Sequence, residues 1–245
     1  MKKIVLFVSL AIAAITVSCK NDDDLVKTVQ LPKSITSTNT NLAFSYSNTG
    51  QLIKIENTLS AGQSNEMLFT YDTTGKLTKY VSVNTQPGVV LTETFLVSYP
   101  FENQVKVTNE ANDYTLINLN ENGQAVSLVK SNKTTTFLYD TNGNLVKNEN
   151  ENNTITANFN TYKGVFSGVT SPKWVLLLTA YNLHNFAVNN PVTVTNVTVE
   201  NNVTTTSSET YSYPIEHIVN EYPTKISVNY SVNGMSNNYV YTVHY

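Results

Sequence analysis

Apolar residues recur two apart along this chain, pause at a glycine, and resume. Aligned on that glycine, Phe44, Phe69, Ile117 and Phe137 stand six residues before it, and Tyr46, Tyr71, Leu119 and Tyr139 stand four before. Two residues after it come Leu52, Leu77, Ala125 and Leu145. Residues two apart share one face of a strand, so each copy reads as a strand, a turn and a return strand. The turn chemistry agrees. Asp72 and Asp140 can accept a hydrogen bond from the backbone two residues on, which suits the first position of a type I turn. Gly50, Gly75, Gly123 and Gly143 can take positive φ without a Cβ clash, as a following G1 bulge requires. Asp140 to Asn144 also has a faint look of a calcium loop. Such loops need six to eight oxygens, and each turn here offers one carboxylate.

The rest of the chain continues the pattern with one interruption. Further hairpin signals fall at Pro87-Gly88, near Phe101 to Asn103, at Asn201-Asn202 and at Asn233-Gly234. Residues 154–169 read as a degraded repeat with Phe159, Tyr162 and Phe166 as its apolar positions. At Ser171-Pro172 the period changes. Trp174, Val175, Leu177, Leu178 and Tyr181 follow at helical spacing, with Ser as cap and Pro at the first helical position. The pattern predicts a mainly β fold. It is an antiparallel meander of repeated hairpins, twisted or partly closed, with one helix at 172–183 closing a side or end. An open sheet, a barrel and two layers all remain compatible with it, and partial closure around the helix is preferred. Trp174 is expected in the core, and His184 at the helix end.

The N-terminus is an address. Met1-Lys2-Lys3 precede an apolar run from Ile4 to Val17, short for a membrane span and right for a secretory signal. The run ends at Ser18-Cys19, and Cys19 is the only cysteine. This junction resembles the lipid-acceptor site of bacterial lipoproteins, although Thr16 stands where that motif usually has Leu. Lys20 to Asp24 is similar to the acidic tag that sends lipoproteins to the outer face in some Gram-negative lineages. The resemblance implies a signal peptide at 1–18, a lipidated Cys19 followed by a polar tether to 41, and a single β-rich domain at 42–245. Within the tether, Leu25 to Leu31 could add an edge strand. A lipid anchor attaches a protein to a membrane without spanning it.

Composition narrows the partners. Charged residues are 13% of the chain, against ~25% in typical domains. There is no arginine, and Asn and Thr each occur 34 times. From Cys19 onward, 13 Lys stand against 18 Asp and Glu, a net charge of −5. That balance does not suit nucleic acid, whose binding depends on neutralising phosphates. No cofactor motif is present. Glu216, His217 and Glu221 are the one ionisable cluster. Neighbours on a strand diverge and no second His lies near, so a metal is not expected. Tyr239, Tyr241, Val243 and Tyr245 alternate at the C-terminus, and an aromatic last residue also fits outer-membrane barrels. The lipoprotein-like N-terminus argues against that.

The Tyr-Asp-x-x-Gly-x-Leu units at Tyr71 and Tyr139 resemble the YD repeats of bacterial surface and secreted proteins. The whole chain from Leu42 resembles uncharacterised lipoproteins that join such repeats to a Trp/Leu-rich helix and a final β section. The resemblance implies a lipid-anchored outer-membrane protein facing the exterior, with the periplasmic face as the other option. It implies no catalytic residues. The expected role is structural, adhesive or ligand-binding at the cell surface, with a polysaccharide or a surface protein as partner. A carbohydrate- or peptide-binding module is the alternative. A glycan-processing enzyme, needing only two converging carboxylates such as Glu216 and Glu221, is the third.

Overall fold

Every hairpin in the sequence finds its neighbour, and the sheet runs until it meets its own start. The computed structural model describes residues 29–38, 40–60, 62–179 and 187–245. The first strands are β1 Ser34–Thr36, β2 Asn41–Tyr46, β3 Leu52–Ser60, β4 Gln63–Tyr71, β5 Leu77–Gln86 and β6 Val89–Phe101. Next come β7 Gln104–Asn109, β8 Tyr114–Leu119, β9 Ala125–Lys130, β10 Lys133–Tyr139, β11 Leu145–Glu149 and β12 Asn153–Lys163. After the interruption follow β13 Asn189–Glu200, β14 Val203–Ser212, the short pair β15 Ile218–Val219 and β16 Tyr222–Pro223, then β17 Lys225–Val232 and β18 Met235–His244. All but β15 and β16 join one closed antiparallel barrel of 16 strands, each next to its chain neighbour, with β1 sealing β2 to β18. The sheet therefore meets itself as a barrel, with the three residues of β1 spanning only the lower part of the seam. Closure pairs most of the edge that an open meander would expose.

The two ends of the barrel differ. The glycine turns, the β12–β13 connection and the β14–β17 connection lie at one end, here the lower end. Tight hairpins at Pro87-Gly88, Ser131-Asn132, Asn201-Asn202 and Asn233-Gly234 lie at the upper end. Each lower turn closes the same way. Gly50, Gly75, Gly123 and Gly143 donate their N–H to the carbonyls of Ser47, Asp72, Asn120 and Asp140 at 3.0, 3.1, 2.9 and 3.0 Å. Their φ values are +81, +85, +70 and +87°. Asp72 Oδ1 accepts from the N–H of Thr74 and Lys76 at 2.8 and 3.0 Å, and Asp140 Oδ1 from those of Asn142 and Asn144 at 2.9 and 2.8 Å. Asn120 and Ser47 do the same in the copies that lack Asp. Val at position 75 should destabilise the protein by about 1–2 kcal/mol through left-handed strain. Chemical denaturation of Gly75→Val should show the midpoint fall, and an unchanged midpoint would refute the strain argument.

Inside and outside follow from register, because paired residues share a face. Phe44 pairs with Ile55, Phe69 with Tyr80 and Ala157 with Val194, and all six are buried inside. The outer row across β12, β13, β14, β17 and β18 reads Asn158, Thr193, Thr210, Asn229, Asn238. The next reads Thr156, Thr195, Ser208, Ser231, Ser236. Elsewhere the outer wall carries ion pairs, Lys54 with Glu66 and Lys147 with Glu149 among them. A membrane-spanning barrel turns an apolar band outward. Here the outer wall mixes hydroxyls, amides and ion pairs with exposed Leu68, Val90, Leu96 and Leu138, and the inner face carries Glu93 and Glu209 beside its apolar residues.

The predicted helix is replaced by something shorter and deeper. Within 172–179 the chain makes a 3-10 helix of six residues, Lys173–Leu178, and Thr179 is already extended. Residues 180–183 of the predicted helix, its proposed end at Asn182 to Asn185 and His184 lie outside the described residues. The reason is burial on every side. Trp174, Val175 and Leu176 are consecutive and all buried, which a one-faced amphipathic helix cannot achieve. Thr179 ends the turn by giving both its N–H and its hydroxyl to Leu176 O. Ser171 does not cap the helix; its Oγ accepts from Leu52 N at 2.8 Å and shares a bond of 2.9 Å with the Tyr71 hydroxyl. Phe166 is also off the strand it was assigned to, since β12 stops at Lys163. It enters the barrel with Val165 and Val169, its ring edge-on to Phe44 at 5.0 Å.

At the N-terminus the domain starts earlier than Leu42. Ser34–Thr36, read above as tether, form β1, because β2 and β18 each need a partner. Pro32 is buried, and Tyr46 donates to its carbonyl at 2.8 Å. Cys19, the signal region and most of Leu25 to Leu31 lie outside the described residues.

Candidate functional site: one lumen with a plugged end and a polar end

Residues 164–179 of the β12–β13 connection fold back into the lower half of the lumen as a plug, and the repeats hold them there. Thr170 donates its N–H to Gly50 O at 3.1 Å and its hydroxyl to Thr49 O at 2.8 Å. Trp174 lies edge-on to Tyr99 at 6.4 Å. Asn144, fully buried, donates to Asn189 Oδ1 at 3.0 Å and accepts from Asn189 N at 2.8 Å, fastening the exit of the plug. The repeat residues also bind one another around the rim. Gln51 Nε2 donates to Gly75 O at 3.0 Å, and Gln124 Nε2 to Gly143 O at 3.4 Å. Tyr71 donates to Leu52 O at 2.9 Å and Tyr99 to Leu77 O at 3.0 Å. The tyrosine of one hairpin thus caps the first return residue of the hairpin before it. The alternation of apolar positions puts Tyr71 on a strand face and does not show this role. For Tyr71 the available signal was its place four residues before Gly75; Tyr99 precedes a turn without glycine.

Burial holds these phenols neutral. Desolvation pushes the Tyr71, Tyr99 and Tyr139 hydroxyls up to about 12, opposed in Tyr71 by the bond to Ser171. Lys173 goes the other way. It is drawn into the plug, with Nζ 3.4 Å from Phe166 O and 3.3 Å from Val169 O, and burial lowers its pKa. The native state therefore binds this proton more weakly than the unfolded chain does. Stability should rise with pH from the lowered native pKa toward the ordinary lysine value, and the cost is fully present below that window. Above about pH 10 the sign reverses, because tyrosines ionise in the unfolded chain first. Lys173→Met should remove the rising limb and stabilise the protein by about 1 kcal/mol at neutral pH. Denaturation midpoints across pH 7 to 10 check this; a variant that keeps the slope would assign it to another group.

The upper half of the lumen has different chemistry. Asn57, Asn65 and Asn84 form an inward row across β3, β4 and β5. Asn148 and Asn196 face inward from β11 and β13, on either side of Ile155. All five are half-buried. The amide oxygens of Asn57 and Asn148 are buried and accept no hydrogen bond. Two aromatic rings border this region, Tyr80 and Phe95, stacked at 4.4 Å with planes 6° apart.

The other sequence candidates stand apart from the lumen. Gly50, Asp72, Gly75, Gly123, Asp140 and Gly143 all sit in lower-rim turns, so each Asp carboxylate serves its own turn. Glu216 is exposed in the short 3-10 helix Ile215–His217, and Glu221 pairs with Lys163 at 3.1 Å. Among the described residues, no three His, Cys, Asp or Glu side chains come together as metal ligands, and no helix is long and apolar enough to cross a membrane.

No protein-family model matches the sequence, and no curated protein matches it. Among solved structures, the chain is similar to a porin-like protein from Bacteroides uniformis, at 13% identity and a TM-score of 0.38, over 87% of this chain and 96% of that one. It is also similar to a porin-like protein from Bacteroides vulgatus, at 11% identity and a TM-score of 0.42, over 88% of this chain and 99% of that one.

Proposed function

We propose that the chain is a lipid-anchored, non-enzymatic binding protein of the outer membrane that presents its polar lumen away from the anchor and takes an uncharged glycan there. The observation that carries this reading is the asymmetry of the lumen. The chain enters β1 at the plugged lower end, because β1 runs against β2, and β2 leads down into the Ser47–Gly50 turn. A tether running back to Cys19 leaves from that end. The amide-lined end then faces outward. Carboxamides offer both donors and acceptors to sugar hydroxyls, and five half-buried asparagines line this end. Without arginine, the chain lacks the side chain best suited to bidentate capture of an anionic ligand. The YD-like lipoprotein resemblance supports the location.

A second reading, adhesion through the outer wall, is favoured by the charge-free Thr, Ser and Asn rows on β12 to β18. One experiment separates them. The lipid-free chain 20–245 is screened against neutral and acidic polysaccharides, alone and as Asn65→Leu, Asn84→Leu and Thr193→Lys. The lumen reading expects binding to neutral glycans that is lost in the two Asn variants and kept in Thr193→Lys. Loss only in Thr193→Lys assigns binding to the wall. No binding to any glycan ends the glycan reading.

A further inference from the structure

The ring is sealed by its shortest barrel strand. β1 pairs with β18 only at Thr242, Val243 and His244. From there β18 continues to Met235, with β17 on one side. Among the described residues nothing pairs with Met235 to Tyr241 on the other side. The barrel is thus closed below and split above β1, and β18 lines the split.

The turn before β18 sets which backbone groups face it. Asn233 and Gly234 have φ of +50 and +80°, a two-residue type I′ turn. The pair flanking such a turn, Val232 and Met235, exchanges both its backbone bonds across the hairpin. Alternation then directs Met235, Asn237, Tyr239 and Tyr241 to β17, and the N–H and C=O of Ser236, Asn238 and Val240 to the open side. The usual guards of an edge are missing. The stretch has no charge and no proline, its register with β17 has no bulge, and every residue from Met235 to Val240 is exposed.

We propose that this edge binds an extended peptide segment of a partner protein, which adds to the sheet as a strand beside β18. Backbone pairing with Ser236, Asn238 and Val240 supplies the affinity. Side chains of the added strand alternate between Val240 on the outer face and Met235 and Tyr239 on the inner face, so uncharged Thr, Val or aromatic residues fit. A second copy of the chain fits less well. Two convex walls meeting along this one edge bury on the order of 500 Å², against about 1,200 Å² or more for stable interfaces. A peptide lies along the edge and contacts both of its faces. This site is separate from the glycan reading and does not depend on it.

The test uses a labelled, end-capped heptapeptide of alternating Thr and Val, and the same peptide N-methylated at alternate residues, in both phases. The protein is the lipid-free chain 20–245, measured by fluorescence anisotropy. Saturable binding of the plain peptide is expected, weakened about tenfold or more in the N-methylated phase that blocks pairing. Asn238→Pro removes an N–H that faces away from β17, so it should abolish binding with the melting temperature nearly unchanged. Asn238→Ala should bind as wild type. Absence of binding, equal binding of plain and both N-methylated peptides, or full binding by Asn238→Pro overturns the proposal. A dimer in sedimentation that Asn238→Pro dissolves, with no peptide binding, assigns the edge to a second copy and also overturns it. The N-methylation arm decides the matter even if the proline variant does not fold.

Discussion

Trp174→Ala is expected to lower the unfolding free energy by about 4 kcal/mol, the largest loss from any single side chain here. The indole is 3% exposed in the centre of the plug, beside Val175 and Leu176 at 0 and 2%. Its removal takes away the transfer free energy of the largest apolar group. It also leaves a cavity that the surrounding strands cannot fill, because closed hydrogen bonding fixes their positions. Trp174→Phe should cost much less, since an aromatic ring would still meet Tyr99. Denaturant unfolding of both variants checks this. If the Ala variant loses less than about 1 kcal/mol, the plug is not part of the cooperative core.

Gly164→Ala should cost about 3 kcal/mol by a different route. A Cβ at 164 would lie 2.2 Å from Ala187 O and 3.1 Å from both Ala187 C and Asn189 O. All three are backbone atoms, so no flexible side chain can yield. Gly164 N also donates to Val188 O at 2.7 Å, which locks the two ends of the plug together where they enter and leave. One added methyl must therefore part the two chains or break that bond. Gly62→Ala is a fitting control, because open space surrounds its Cβ and only its positive φ is strained. A Gly164→Ala variant no less stable than Gly62→Ala would show that the plug neck adjusts freely.

The hairpins were legible in the sequence because their information is local. A turn of Asp-x-x-Gly with apolar residues two apart specifies its own geometry, and the same is true of Asn201-Asn202 and Asn233-Gly234. Closure was not legible. Nothing near Ser34 says that the three residues Ser34 to Thr36 will bridge strands from opposite ends of the chain. The plug misled for a related reason. Trp174 to Leu178 has helical spacing, but spacing cannot tell a helix packed on one side from a turn buried on all sides. The polar half of the lumen was hidden too. Asn57, Asn65 and Asn84 look like ordinary turn formers until register places them in one row. The tyrosine caps run from one hairpin to the one before it, and a pattern local to each hairpin does not encode them.

The seam between β1 and β18 bears on how the chain can reach its native state. Every other pairing in the barrel joins neighbours along the chain and can form as a local event, one hairpin after another. The seam alone joins Ser34 to His244, so it carries the longest loop closure and waits for the last strand. Until then the sheet is an open ribbon with a free inner face. The plug can settle onto that face from the side as its own strands form, with no need to thread a segment through a finished ring. A chain that crosses a membrane N-terminus first would keep its opening strand unpaired through the whole passage, and lock only when its C-terminal residues emerge.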